Sequence, residues 1–173
     1  SMAVLVLTQG CNEDAGFYLD RNEKTGETIS CMCCSGFMPL WAGIADENQA
    51  RRVIEEHILN PEEFWRDFPV SVMSAKEKGY SENYLKNDLG CCWRANTWIP
   101  INYIVYQILN RYGYFEKAEE LAKKTFEICW FFNERNKIGE IKNETNNCIG
   151  VKYCNFVFCC WMRKRYRSAS DRG

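Results

Sequence analysis

The chain has 173 residues, 46% of them apolar and 26% charged, a composition outside the range of disordered chains. Lys plus Arg number 22 and Asp plus Glu 23, so no global basic field exists to attract nucleic acid. A single domain of this size buries about 70% of its unfolded surface and needs neither disulfides nor metal to stay folded.

Taken in chain order, Met2 to Leu7 is apolar but too short for a signal peptide's hydrophobic region, and it lacks a basic lead. No stretch approaches the roughly 18 apolar residues of a membrane span, so a cytoplasmic, reduced chain is the expectation. Asp20 to Gly26 reads as a turn or short hairpin. Asp46 caps a helix whose Ala50, Val53, Ile54, His57 and Ile58 share one face, and Asn60-Pro61 stops it. Ile101, Ile104, Val105, Ile108, Leu109 and Tyr112 form the apolar face of a second helix, ended by Gly113. A third helix starts near Phe115. It turns Ala118, Leu121, Ala122, Thr125 and Ile128 inward, while Glu116, Lys117, Glu119, Glu120, Lys123 and Lys124 face out. So short a connection makes these two helices antiparallel neighbours. Long segments rich in aromatic and turn residues, from Phe17 to Trp41, Phe64 to Trp98 and Asn133 to Cys154, lie between the helices. Little strand alternation occurs, and the pattern is an all-α scaffold of helical hairpins with long loops carrying a site at one end.

Eleven cysteines include three adjacent pairs and a single C-x-x-C, Cys31 to Cys34. Structural zinc needs four sulfur or nitrogen ligands in two close pairs, and neither that nor a secretory disulfide spacing is present. Arg94 beside Cys92 is placed to lower a thiol pKa, but no base accompanies it. The one histidine, His57, lies on or beside an apolar stripe, where a packed residue is commoner than a ligand. No metal site is expected.

Trp41, Trp65, Trp93 and Trp98 fall in or near loops. Sugars present flat apolar C–H faces ringed by hydroxyls, so their sites combine aromatic platforms with fixed polar groups. Trp93-Arg94 and Trp98, followed by Asn102-Tyr103, supply both kinds. Residue types alone leave a sugar site and helix-start core packing equally open.

Three blocks carry a family resemblance: Gly36-Phe37-Met38-Pro39-Leu40-Trp41-Ala42-Gly43-Ile44-Ala45 with Gln49-Ala50; Leu59-Asn60-Pro61-Glu62-Glu63-Phe64-Trp65 with Phe68-Pro69-Val70-Ser71; and Trp93-Arg94-Ala95-Asn96-Thr97-Trp98-Ile99-Pro100-Ile101-Asn102-Tyr103, continuing to Arg111-Tyr112-Gly113. In order and spacing, roughly from Gly16 to Gly150, the chain resembles glycoside hydrolase family 63 and its mannosylglycerate and glucosylglycerate hydrolase-like relatives. Trehalases share a looser version of the pattern. The resemblance implies an (α/α)6 toroid with a sugar pocket and inverting hydrolysis by two carboxylates, about 6.5–9.5 Å apart to admit a water. It implies Glu140 as the general base, with Glu134 or Glu144 in reserve. It also implies that Trp41, Trp93, Arg94, Trp98, Asn102 and Tyr103 line the pocket. Lys142 stands where the family has an aromatic, the following proline is missing, Asn146 replaces a glycine, and Ala95 replaces another.

The family's general acid is an aspartate from the first half of the toroid, and no segment here matches its motif. Asp14, Asp20, Asp46, Asp67 and Asp88 read as caps, turns and surface residues. Twelve helices with loops need more than about 300 residues, so this chain corresponds to the C-terminal part of a toroid, residues 1–160, followed by a basic, disordered tail at 161–173. Such a part is expected to bind a small carbohydrate, an α-glucoside or α-mannoside such as a glycosylglycerate, and to be inactive alone. The missing N-terminal half, or self-association through uncovered helix faces, supplies the expected partner; no nucleic acid, membrane or cofactor is implied. The alternatives are a non-catalytic carbohydrate-binding half-domain, a helical self-association module and, last, a zinc module.

Overall fold

The structure, a computed structural model, describes residues 11–80 and 96–138, with side chains as far as residue 128. Two small antiparallel hairpins open it. β1 (Cys11–Asn12) pairs with β2 (Phe17–Tyr18), and β3 (Asp20–Arg21) pairs with β4 (Thr28–Ile29). The second is the hairpin expected around Gly26, whose φ of 72° supplies the left-handed turn position. The first was not anticipated: each of its strands is only two residues long, too short for alternation to show. Asn12 stabilises its turn by accepting from Ala15 N–H at 2.8 Å.

A 3-10 turn at Cys34–Phe37 runs straight into the short α1 (Met38–Trp41). Asp46 then caps α2 (Glu47–Arg52) through a reciprocal box with Gln49. Gln49 Oε1 also accepts from Tyr18 O–H at 2.7 Å, which ties the cap to the first hairpin. The helix widens to π geometry over Val53–Ile58, closed by Leu59 N–H donating to Ile54 carbonyl at 2.9 Å. Asn60 ends it as the sequence predicts. Its carbonyl accepts from Glu63 and Trp65 N–H, and its side-chain oxygen accepts from Glu62 N–H.

The core gathers Phe17, Phe37 and Phe64, all fully buried. Phe17 stacks on Phe64 at 5.9 Å, and Phe37 meets Phe64 edge-on at 5.0 Å. Gly36 is buried against Phe17, leaving no room for a side chain. His57 lies against the same ring at 5.1 Å, and both of its nitrogens face acceptors: Glu63 Oε2 and Ala15 carbonyl, each at 2.8 Å. It is the packed residue its sequence position predicts.

α3 (Ile99–Arg111) and α4 (Phe115–Ile138) form the predicted antiparallel hairpin. Gly113, at φ 86°, lets Tyr114 N–H reach Leu109 carbonyl at 2.8 Å and its own N–H reach Asn110 carbonyl, a Schellman termination. Ala118, Leu121 and Thr125 are buried, while Lys123–Glu119 and Lys124–Glu120 pair across one turn on the outside. α4 continues to Ile138, five residues past the point where a loop was expected at Asn133. The scaffold is therefore helix-rich, with four two-residue strands among the described residues, two of them in the hairpin expected at Asp20–Gly26. Among the described residues no helix is long and apolar enough to cross a membrane. The basic tail lies outside the described residues.

The hairpin is fastened to the π segment by Tyr114, whose hydroxyl donates to Glu55 Oε1 at 2.7 Å. Burial, then the hydrogen bond to this carboxylate, pushes the phenol from its ordinary 10.0 up to about 12. The folded state therefore favours the neutral phenol, and this stabilisation is complete below pH 10.0 and lost as pH rises through about 12. Ultraviolet titration should show Tyr114 among the late-ionising tyrosines, and Tyr114→Phe should remove absorbance near pH 12 rather than near pH 10; loss of the missing phenol's signal near pH 10 would refute the assignment.

Candidate functional site

The candidate site is built around the start of α3. Trp98 occupies the cap position in extended conformation (φ −107°, ψ 121°), and its carbonyl accepts from Asn102 N–H at 3.0 Å. Pro100 in the first turn suits a helix start, where a missing N–H leaves no bond unmade. Trp98 and Tyr103 are both half-buried, so each keeps part of its ring at the surface. The entry strand is fixed from below. Ser71 bridges Thr97, Val72 N–H donates to Asn96 carbonyl at 3.1 Å, and Thr97 Oγ1 donates to Phe68 carbonyl at 2.6 Å.

Asn102 faces the other way. It is 2% exposed, and its side chain is fully engaged by protein. Its Oδ1 accepts from Val70 N–H, and its Nδ2 donates to both Pro69 carbonyl and Thr125 Oγ1, all at 2.8 Å. Thr125 passes its own proton to Leu121 carbonyl at 2.7 Å. With both amide protons used, Asn102 locks the Phe68–Ser71 segment and both helices of the hairpin together. Its place in the site is beneath the rim.

Trp41 stands elsewhere. Its Nε1 donates to Gln107 Oε1 at 2.6 Å, and it remains 43% exposed. The loop after it follows the same end of α3: Arg111 lies against Gly43, whose φ is 71°, and Tyr112 O–H donates to Ala45 carbonyl at 3.3 Å. Gln107 follows Trp98 by nine residues, about 13 Å along a helix axis. Trp41 is thus anchored at Gln107, one helical turn past Tyr103 and about two and a half turns past Trp98. Gln107 was missed by the sequence reading, although its position four residues after Tyr103 puts it on Tyr103's face.

Trp65 is 8% exposed and packs on α4. Its Nε1 donates to Glu120 Oε1 at 3.3 Å, and Lys117 lies 5.5 Å from its ring centre. The hydrogen bond from Lys117 holds the Glu120 carboxyl below its ordinary range, with Lys124 and Trp65 adding to it. Trp93, Arg94, Glu140 and the reserve Glu144 lie outside the described residues, as does Cys92. Glu134 falls on the described backbone of α4, with its side chain not described. No group of three His, Cys, Asp or Glu side chains placed to hold a metal occurs among the described residues.

The family is explicit in the sequence match: the mannosylglycerate hydrolase MGH1-like glycoside hydrolase domain matches residues 2–148, and the chain belongs to that family. It is 26% identical over 115 residues to mannosylglycerate hydrolase MGH1 of Selaginella moellendorffii, covering 66% of this chain and 22% of that protein. It is 30% identical over 121 residues to the cytosolic neutral trehalase of Kluyveromyces lactis, covering 70% of this chain and 15% of the trehalase. The GH63 mannosylglycerate hydrolase from Thermus thermophilus in complex with glucose shares the fold, with a TM-score of 0.59, 23% identity and coverage of 75% of this chain and 29% of that one. The chain thus spans between about a seventh and a little over a fifth of the length of these curated relatives.

The different placements of Asn102 and Tyr103 lead to different costs. Asn102→Ala leaves the Val70 N–H and Pro69 carbonyl buried without partners and should destabilise by about 3 kcal/mol. Tyr103→Ala should cost about 1 kcal/mol or less. Urea unfolding of both variants checks this; equal losses would place Tyr103 in the core with Asn102.

Proposed function

We propose that this chain is the C-terminal part of an inverting glycoside hydrolase acting on an α-glucoside or α-mannoside, a glycosylglycerate being the leading candidate. The single observation that carries the reading is the family match over residues 2–148. The mannosylglycerate hydrolases among the relatives favour a glycosylglycerate, and the cytosolic neutral trehalases keep a glucose disaccharide in the comparison and favour a cytoplasmic location.

In this reading the chain forms part of an (α/α)6 toroid, and the α3 start faces the sugar. Trp93, Trp98 and Tyr103 offer ring faces to the apolar side of a pyranose, and Arg94 donates to its hydroxyls or to a glycerate carboxylate. Asn102 acts from beneath by fixing the strand and helix that carry them. Glu140 is the base, drawing a proton from the water that attacks the anomeric carbon from the face opposite the leaving oxygen. The acid that protonates the leaving oxygen is an aspartate of the remainder of the toroid. Trp41 contributes at a more distant subsite, where Gln107 holds its indole.

The purified chain should bind mannosylglycerate or glucosylglycerate by calorimetry without releasing sugar, and Trp98→Ala should weaken binding about tenfold, with Trp41→Ala having less effect. Turnover by the chain alone would overturn the division of acid and base. When the chain is joined to the remainder of a family toroid, Glu140→Ala should abolish turnover while sugar binding persists; retained hydrolysis would remove Glu140 as the base. Binding without hydrolysis even in the joined protein would favour the second reading, a carbohydrate-binding part with no catalytic role, which the short coverage of the relatives also suits.

A further inference from the structure

One group of side chains is used by neither the core nor the proposed chemistry: the sulfurs around Cys33. Cys31 and Cys33 are free, half-buried thiols. Cys33 is extended (φ −137°, ψ 174°), and alternate residues of an extended segment project to one face, so Cys31 and Cys33 share a face while Cys34 turns into the core. Directly across an antiparallel bridge from Cys33 lies Met73. Opposed residues in such a pair stand on the same face, with Cβ atoms about 4.5–5.5 Å apart. Cys34 N–H to Val72 carbonyl and Ser74 N–H to Met32 carbonyl, each 2.9 Å, fix the register on both sides of the bridge.

We propose that Cys31, Cys33 and Met73 form a binding site for a soft monovalent cation, Cu(I), held by two cysteine sulfurs and one thioether. Thiolate and thioether ligands select Cu(I) over harder ions. Structural zinc requires four sulfur or nitrogen ligands, which this cluster lacks. An intramolecular disulfide is poorly matched, because two residues apart in extended backbone the Cα atoms stand about 6.6 Å from each other, at the upper edge of disulfide geometry. A bridging ion spans that gap without moving the backbone.

The surroundings suit a cation. Ser35 Oγ lies 3.1 Å from Cys33 Sγ and donates to Asp20 Oδ2 at 3.4 Å, while Glu77 Oε1 accepts from Met32 N–H at 2.9 Å. Each Cu–S bond to cysteine forms as the thiol proton leaves to solvent, with no change of oxidation state. Uptake therefore tightens as pH rises.

The chain has eleven cysteines, so metal uptake alone would not locate the site. The readout is the Met73 methyl group. The full chain is labelled with 13C-methyl methionine and titrated anaerobically with Cu(I) supplied as its bicinchoninate complex. The Met73 resonance, identified by its absence in Met73→Leu, should move with the first equivalent and stay fixed in Cys31→Ser/Cys33→Ser. A Met73 resonance that stays put while the bicinchoninate colour bleaches would overturn the site, as would a shift that persists in the double variant. If the double variant does not fold, Met73→Leu, a nearly volume-conserving change, decides: competition should show about tenfold weaker uptake of the first equivalent, and unchanged uptake overturns the proposal.

Discussion

The arrangement depends on one buried amide. Asn102 bonds two consecutive residues of the Phe68–Ser71 segment and the Thr125 hydroxyl of the neighbouring helix, so three pieces of chain distant in sequence meet at one side chain. From there order spreads outward. The segment it fixes bridges Thr97, and its continuation through Val72–Ser74 pairs with Asn96 on one side and Met32–Cys34 on the other. The first contact sets where α3 begins, and the second sets where the 3-10 turn into α1 begins. A hydrophobic contact would tolerate sliding along the helix; a side-chain amide with one acceptor and two donors all engaged at 2.8 Å permits a single register.

Much of this was legible in the sequence, for identifiable reasons. The Asp46–Gln49 capping box, the Asn60-Pro61 stop and the Gly113 termination are local chemistry, decided within five residues, and each stands where its residues predicted. The β1–β2 hairpin was not legible because two-residue strands carry no period. The π turn at Val53–Ile58 was hidden for a different reason: the apolar face it presents is the same face an α-helix would show. α4 extends past Asn133 because Glu134, Arg135 and Lys137 are good helix formers, which the reading of a loop there passed over.

The candidate site was only partly legible, and the reason is directional. A motif gives spacing along the chain, whereas a pocket needs side chains to converge. Trp98, Asn102 and Tyr103 are within six positions of one another. Successive helical residues are nonetheless turned about 100° apart, so Asn102 points into the hairpin while Tyr103 keeps contact with the surface. Trp41 matches a family block equally well, yet its indole is held by Gln107, two and a half turns up the helix from Trp98. The resemblance singled out the segment, and geometry assigns what Asn102 and Trp41 hold on to within it.

The described residues also narrow where acid–base chemistry can reside. His57, the sole histidine, is 6% exposed, with both nitrogens facing acceptors, and the Glu63 carboxylate it meets is bonded on its other oxygen by Lys76 at 3.0 Å. This trio links the β1–β2 turn, the π turn and the loop after Asn60, and it has no open position toward a ligand. A glycosidase's general acid must instead hold its proton at working pH, which requires a carboxyl raised by an apolar or anionic setting. Glu56 and Glu120 are displaced in the opposite direction: hydrogen bonds from Arg52 and Lys117 hold them ionised. Carboxylates stabilised as anions by adjacent cations are surface braces. Neither Glu56 nor Glu120 is therefore set up to hold the proton that such an acid must donate.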